Sequence, residues 1–211
     1  RKSFMKPVRL VAGRSEALGY DARFDYIGVD KGAWYCLCSG IPMICAIGDF
    51  DSISKEQLIK LQSATEVICL PKRKNETDSE AAIALAKDRG YEQIYLYGGL
   101  GGRMDHTLAN LYLMLYRDHT LVLEDAHHEI RMAKAGAYSL QKRFRYLSLL
   151  ALEDSVITIS GVAYPLAHRA ITTKDIFTVS NEIIGEALLT VEKGSVLLIQ
   201  CEDEKNGIES Y

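Results

Sequence analysis

Three short segments carry acidic, basic and glycine residues at spacings that suit phosphate and metal chemistry. Gly48-Asp-Phe-Asp-Ser52 places Asp49 and Asp51 two residues apart. Just past a strand, such a pair can aim its oxygens at one hard cation of the kind that accompanies phosphates. The same residues would also serve as a plain loop with helix-capping Asp and Ser. Lys72-Arg-Lys-Asn-Glu-Thr-Asp78 groups three cations ahead of Thr77 and Asp78, which fall at a helix start, where backbone amides and the helix dipole favour anions. A simple cap after a solvated charge run accounts for these residues equally well. Gly98-Gly-Leu-Gly-Gly-Arg-Met-Asp-His106 holds four glycines in five positions, which lets backbone approach a phosphate chain closely. Arg103 can pair with phosphate oxygens, and Asp105 offers a further carboxylate. Asp30, in Val29-Asp-Lys-Gly-Ala-Trp34, is the least specific of the set, since a polar strand end with Gly32 as a turn explains it.

These segments need a scaffold that gathers them, and the pattern around them provides one. Apolar runs at 8–12, 26–29, 43–47, 66–70, 93–97 and 120–123 alternate with helix-period segments. This is the texture of strand-helix units on a mostly parallel sheet covered on both faces. Ser54 with Gln57, and Thr77 with Glu80, read as capping boxes, and the second helix stops near Gly90. A third helix begins near Asp105 and sets Leu108, Leu111 and Leu115 on one face. In such a sheet ligands sit beyond the carboxyl ends of the strands. Consecutive strand ends carrying Asp30, Asp49 and Asp51, Asp78, and the 98–105 segment therefore converge on one edge, and a divalent metal with polyphosphate fits them best. Of the histidines, His106 alone is kept near that edge. There is no GxxxxGK(S/T), no first-strand dinucleotide fingerprint and no Ser/His/Asp or Cys/His nucleophile set.

Beyond about residue 136 the texture changes to β-rich runs at 146–152, 156–159, 187–191 and 196–201. They are broken at Ser160-Gly161, Tyr164-Pro165 and Lys193-Gly194-Ser195. The last two runs, either side of Gly194, predict a hairpin. The expected fold is α/β over residues 1–135, a mostly parallel sheet flanked by helices (Rossmann-like). A smaller all-β sandwich or barrel-like domain follows over 136–211.

The 211 residues are 48% apolar and 25% charged, which suits a packed core and excludes disorder, collagen and coiled coil. Basic residues number 25 against 28 acidic, with 7 and 10 in 136–211 and 18 of each in 1–135. Neither part has the basic excess that phosphate-backbone binding needs, so no nucleic-acid partner is expected. No apolar run approaches the ~20 residues of a membrane helix, and residues 1–7 lack the apolar core of a signal peptide. A cytoplasmic protein without membrane contact is expected. The five cysteines show no CxxC or Cys/His spacing and read as reduced core residues.

In order and spacing, VDKGAWYCL at 29–37, IGDFDSIS at 47–54, KNETDSEAAI at 74–83 and GGLGGRMDHTLANL at 98–111 resemble the catalytic domain of thiamine pyrophosphokinases. GVAYPL at 161–166 and VSNEIIGE at 179–186 resemble that family's thiamine-binding β domain. The resemblance implies Mg²⁺-dependent transfer of pyrophosphate from ATP to the hydroxyethyl oxygen of thiamine, giving thiamine diphosphate and AMP. It also implies a homodimer with its active site at the subunit interface, between the catalytic domain of one subunit and the β domain of the other. Carried over by motif, Asp49, Asp51 and Asp78 are the metal and polyphosphate carboxylates, and Asp105 joins them as a catalytic residue. The expected nucleotide set is Asp30, Ser52, Lys74 and Thr77 together with Gly98, Gly99, Gly102, Arg103, His106 and Asn110. Ser180 and Asn181 border the thiamine pocket, and Asp78 or Asp105 accepts the alcohol proton. Two positions depart from the pattern. Asn75 stands where many bacterial relatives have Asp, and the single tryptophan, Trp34, lies in the α/β part, whereas eukaryotic relatives place a Trp over thiamine from the β domain.

Two alternatives stand beside this. A DxD phosphatase of the haloacid dehalogenase type would use Asp49 as nucleophile. That family, however, puts DxD at its first strand, with Thr or Val where Ile53 stands here. A non-catalytic thiamine or nucleotide-binding module would keep affinity without turnover, and would have no need of the full carboxylate set.

Overall fold

The computed structural model describes residues 5–73 and 75–203, so Lys74, one of the expected nucleotide ligands, lies outside the described residues. The chain forms two compact units, Arg1–Ala126 and His127–Tyr211.

The first unit contains β1 (Val8–Val11), β2 (Asp25–Val29), α1 (Lys31–Cys38), β3 (Cys45–Gly48), α2 (Lys55–Ala64), β4 (Val67–Cys69), α3 (Asp78–Asp88), β5 (Ile94–Tyr97), α4 (Met104–Tyr112) and β6 (Val122–Glu124). Helix α4 runs on into a π-helical turn, Leu113–Arg117. The strands pair in parallel in the order β4-β3-β2-β1-β5-β6. Every residue of β1 and β3 is buried, as strands covered on both faces require. Local chemistry starts the helices where the sequence suggests. Ser54 and Gln57 make the reciprocal capping box of α2, and the Thr77 hydroxyl accepts from the Glu80 N–H at the start of α3. Inside the sheet, Arg9 Nε lies 2.5 Å from Glu124 Oε1, and the Arg9 guanidinium sits 3.9 Å from the Phe24 ring centre. A charge is thus tolerated in a buried strand because it has both a carboxylate and an aromatic face.

Helix α1 corrects the turn expected at Gly32. The glycine serves a close approach, because a Cβ there would lie 1.9 Å from the Val11 carbonyl oxygen. Its absence lets the first turn of α1 rest on the end of β1. Among the described residues no helix is long and apolar enough to cross a membrane.

The second unit is antiparallel: β7 (His128–Leu140), β8 (Tyr146–Ala151), β9 (Ser155–Val162), β10 (Leu166–Ile171) and β11 (Asn181–Cys201). Residue 135, where the sequence texture changes, lies within β7. The expected hairpin around Gly194 does not form. Residues 187–191 and 195–201 both pair with β7 and run in one direction, with a register shift between Val191 and Ser195. Gly194, at φ 81, makes a bulge where a side chain would meet Ser155 Oγ at 2.3 Å. Leu147 of β8 pairs with Gln200 on one side and Asn181 on the other, so both edges of β8 are held by two ends of the same strand. The sheet curls around a core that includes Leu147, Leu149, Ile159, Leu189 and Leu198.

The cysteines are free, but only Cys36 and Cys45 are buried; Cys38 and Cys69 are exposed and Cys201 is intermediate. Cys38 ends α1 and Cys69 ends β4, so an apolar sequence neighbourhood did not translate into burial at these element ends.

The contact at Gly32 yields a stability prediction. Gly32→Ala should cost about 2 kcal/mol, the range of an overpacked core, and lower Tm by roughly 4–8 °C. An unchanged melting temperature would show that α1 is free to lift from β1.

Candidate active site

The carboxyl ends of β2 and β3 bring three acids together. Asp30 follows β2 with φ 49, and its N–H donates to the Ile47 carbonyl at 2.9 Å, which ties it to the end of β3. Its Oδ2 accepts from Ser52 Oγ at 2.7 Å. Phe50 also has a left-handed backbone, φ 53. Its ring is only 5% exposed and packs among Ala33, Ala46 and Leu61. This anchors the turn so that Asp49 and Asp51 both face Asp30. The Asp51 N–H donates to Asp49 Oδ1 at 3.1 Å.

Carboxylate oxygens of Asp30, Asp49 and Asp51 lie within 4.8 Å of one another. Burial pushes the Asp30 carboxyl above its ordinary range; hydrogen bonds from Ser52 and from the Lys31 N–H oppose this, and the charges of Asp78 and Asp49 add to the rise. Its Oδ1 is buried with no hydrogen-bond partner among the described residues. An all-oxygen, all-anionic donor set with an unsatisfied buried oxygen suits a hard divalent cation.

Asp78, the first residue of α3, stands outside this group and lines the same cavity of about 610 Å³ as Asp30, Asp49, Lys72, Asp105 and His106. The grouping differs from the expected Asp49, Asp51 and Asp78 for a reason of sheet order. β2 and β3 are direct neighbours, with Val29 opposite Ile47, whereas α3 begins only after the chain has crossed to β4.

The glycine segment lies beside this cavity, tied to Asn110, which lines it. Gly98 has φ 77, and a side chain there would meet the Arg14 carbonyl at 2.4 Å. Asn110, buried, donates its Nδ2 to the Gly99 carbonyl at 2.7 Å, so it holds the loop. Thr107 Oγ1 lies 3.2 Å from the Gly101 carbonyl and does the same. Arg103 Nε donates to Asp105 Oδ1 at 3.1 Å, and this pairing holds the Asp105 carboxyl below the usual carboxylate range. Among the other expected residues, Thr77 is occupied as a cap. Sequence reading passed over the loop after β1, although Ala12 and Gly13 line the cavity, as do Glu76 and Ser79. The only signal for the β1 loop was Gly13 directly after an apolar run.

In the second unit the GVAYPL and VSNE motifs meet. Tyr164 N–H donates to Asn181 Oδ1 at 3.0 Å, and Asn181 Nδ2 donates to the Tyr164 carbonyl at 2.9 Å. Ser180 has φ 59, and its N–H donates to Ser148 Oγ at 3.0 Å. Tyr164, Phe177, Val179 and Asn181 rim a narrow pocket floored by Leu147, Leu149 and Ile159. Tyr164 is 72% and Phe177 50% exposed, so both rings are open to solvent at the rim.

The comparisons with known proteins cover both units. The family model described as thiamin pyrophosphokinase, catalytic domain, matches residues 22–123, and that of the vitamin B1 binding domain matches 127–197. The chain is similar to thiamine pyrophosphokinase of Bacillus subtilis, 31% identical over 214 residues that cover 94% of this chain and 100% of the relative. A crystal structure of thiamine pyrophosphokinase from Bacillus subtilis matches with TM-score 0.82 at 29% identity, covering 94% of this chain and 100% of that one. A thiamin pyrophosphokinase family protein from Enterococcus faecalis matches with TM-score 0.81 at 29% identity and the same coverage. With both domain models matched along its length and a 31% identical relative spanned from end to end, the chain belongs to the thiamin pyrophosphokinase family.

Proposed function

We propose that the chain moves a pyrophosphoryl group from ATP to the hydroxyethyl oxygen of thiamine, yielding thiamine diphosphate and AMP, with Mg²⁺ as its metal. The observation that carries this is the meeting of Asp30, Asp49 and Asp51 within 4.8 Å, two of which, Asp30 and Asp49, line a cavity with Asp78. The first unit, read as Rossmann-like because its strand order reverses direction at β1, takes ATP and the metal. The second, read as a curled all-β domain, takes thiamine.

Asp30, Asp49 and Asp51 would hold Mg²⁺, with Asp78 facing them. A bound Mg²⁺ supplies positive charge against the polyphosphate oxygens. The residues of the chain do the rest. The backbone of 98–102, held by Asn110 and Thr107, lies against the phosphates. Arg103 exchanges its bond with Asp105 for phosphate oxygens and stabilises the charge that gathers on the leaving AMP. Ser52 keeps the Asp30 carboxylate aimed, Thr77 keeps α3 in place, and His106 borders the nucleotide. Tyr164 provides the aromatic surface for thiamine, with Asn181 fixing its backbone and Ser180 beside it. The alcohol oxygen attacks the β-phosphorus in line, the bond to the α–β bridging oxygen breaks, and AMP leaves with that oxygen. Asp78 takes the alcohol proton, since it lines the same cavity as Asp30 and Asp49 at the start of α3.

The working form is a homodimer whose active site joins the first unit of one subunit to the second of the other. Supporting it, each unit exposes apolar side chains: Leu108, Tyr112 and Tyr116 in one, Ile176, Phe177 and Ile184 in the other. A cytoplasmic location, with no nucleic-acid or membrane partner, completes the proposal.

The primary test is product analysis with ATP, Mg²⁺ and thiamine. AMP should form only when thiamine is present; inorganic phosphate alone would point to a phosphatase, and binding without product to a sensor. Asp51→Asn should remove turnover and leave the circular dichroism spectrum intact. A variant keeping more than about a tenth of the wild-type rate, a barrier change under ~1.4 kcal/mol, would take Asp51 out of the site. Mg²⁺ at about a hundred times its Kd should stabilise the wild type by ~2.7 kcal/mol and raise its Tm, but leave the Tm of Asp51→Asn unmoved. Asn181→Ala should raise KM for thiamine about tenfold, since it frees Tyr164, with KM for ATP unchanged. Equal rises in both constants would instead indicate a general loss of structure.

A further inference from the structure

In the first unit the chain steps from β1 to β2, β3 and β4 on one side and returns with β5 and β6 on the other. The loops after β1 and β5 therefore part in opposite directions. Such a switch point opens the crevice in which doubly wound sheets bind their ligands. Ala12 and Gly13 of the β1 loop line the cavity there, and the next residue is Arg14.

Arg14 is seated by its backbone. Its N–H donates to the Gly98 carbonyl at 3.3 Å, and Gly98 must be glycine because a Cβ would meet the Arg14 carbonyl. From there the side chain runs across the glycine loop. Nε lies 3.4 Å from where a Gly101 side chain would begin, and Nη1 3.2 Å from the corresponding point on Gly102. The bare backbone of Gly101 and Gly102, at φ 73 and 69, thus forms the bed on which the guanidinium rests. Arg14 is exposed and makes no ion pair or side-chain hydrogen bond with any described residue.

Charge around the cavity gives this cation a purpose. The lining includes Asp30, Asp49, Glu76, Asp78 and Asp105 against Lys72, and Arg103 reaches phosphate only by giving up its pair with Asp105. A polyphosphate entering such a wall needs fixed positive charge in addition to a metal. A guanidinium presents a planar fork that matches phosphate oxygens two at a time. We infer that Arg14 is a nucleotide-binding residue that grips the polyphosphate of ATP from the β1 side of the glycine loop. The inference rests on the ATP reading above.

Arg14→Gln and Arg14→Lys test it. ATP binding is measured calorimetrically without thiamine, and steady-state constants for both substrates follow. Arg14→Gln should weaken ATP binding and raise KM for ATP about tenfold or more, the range for a lost charge-assisted hydrogen bond. KM for thiamine and Tm should stay at wild-type values. Arg14→Lys, keeping the charge without the fork, should recover part of the loss. ATP binding by Arg14→Gln within twofold of wild type would overturn the inference, as would a parallel rise in both KM values. If the wild-type chain itself neither binds ATP nor forms AMP, the ATP reading fails and the role of Arg14 falls with it.

Discussion

Repulsion among carboxylates is the constraint around which the first unit is organised. Oxygens of Asp30, Asp49 and Asp51 within 4.8 Å of each other oppose one another by roughly 3 kcal/mol per pair at an effective dielectric near 20. A flexible loop would relax such a group by moving apart. Here the freedom to do so has been removed. Asp30 and Asp49 continue adjacent parallel strands paired at Val29 and Ile47, the Phe50 ring is locked in the core, and Ser52 bonds Asp30 from the far side of the turn. Asp30 and Phe50 both hold positive φ, a conformation that costs of order 1–3 kcal/mol for a side-chain-bearing residue. The chain thus carries repulsion and strain together at one point, and a bound cation would relieve the first without needing to move the second.

The glycine loop meets the complementary demand. A phosphate chain can approach bare glycine backbone closely, and the left-handed φ values of Gly98, Gly101 and Gly102 are accessible at little cost to glycine. Freedom of that kind would leave the loop unsettled, and Asn110 supplies the restraint with a buried amide bonded to Gly99. Arg103 and Asp105 pair on the exposed side, next to the left-handed glycines.

Much of this was legible in the residues, because local chemistry decided it. Capping residues at Ser54 and Thr77 set the helix starts, and apolar runs set the strands of the first unit to within a residue or two. What was not legible came from tertiary contact. Gly32 looks like a turn until the Val11 carbonyl is seen beneath it. Asp30 lies with Asp49 and Asp51 because strand neighbours are a property of the sheet, invisible in linear spacing. The loop after β1 drew no attention, since its first residues, Ala12 to Ser15, carry no acid and a single glycine, yet the reversal of strand order puts Ala12 and Gly13 on the cavity wall.

The second unit shows how one misread turn would have separated the parts of a pocket. Had residues 187–191 and 196–201 folded as a hairpin about Gly194, the two segments would pair with each other, and the start of β11 would lie far from β8. As a single long strand with a bulge, β11 instead returns both its ends to Leu147, through Asn181 and Gln200. That double pairing brings Asn181 beside the floor of Leu147 and Leu149, within reach of the Tyr164 backbone. Gly194 therefore shapes the pocket from a distance: it lets the strand pass Ser155 without turning, and the continuity it allows is what delivers Asn181 to Tyr164.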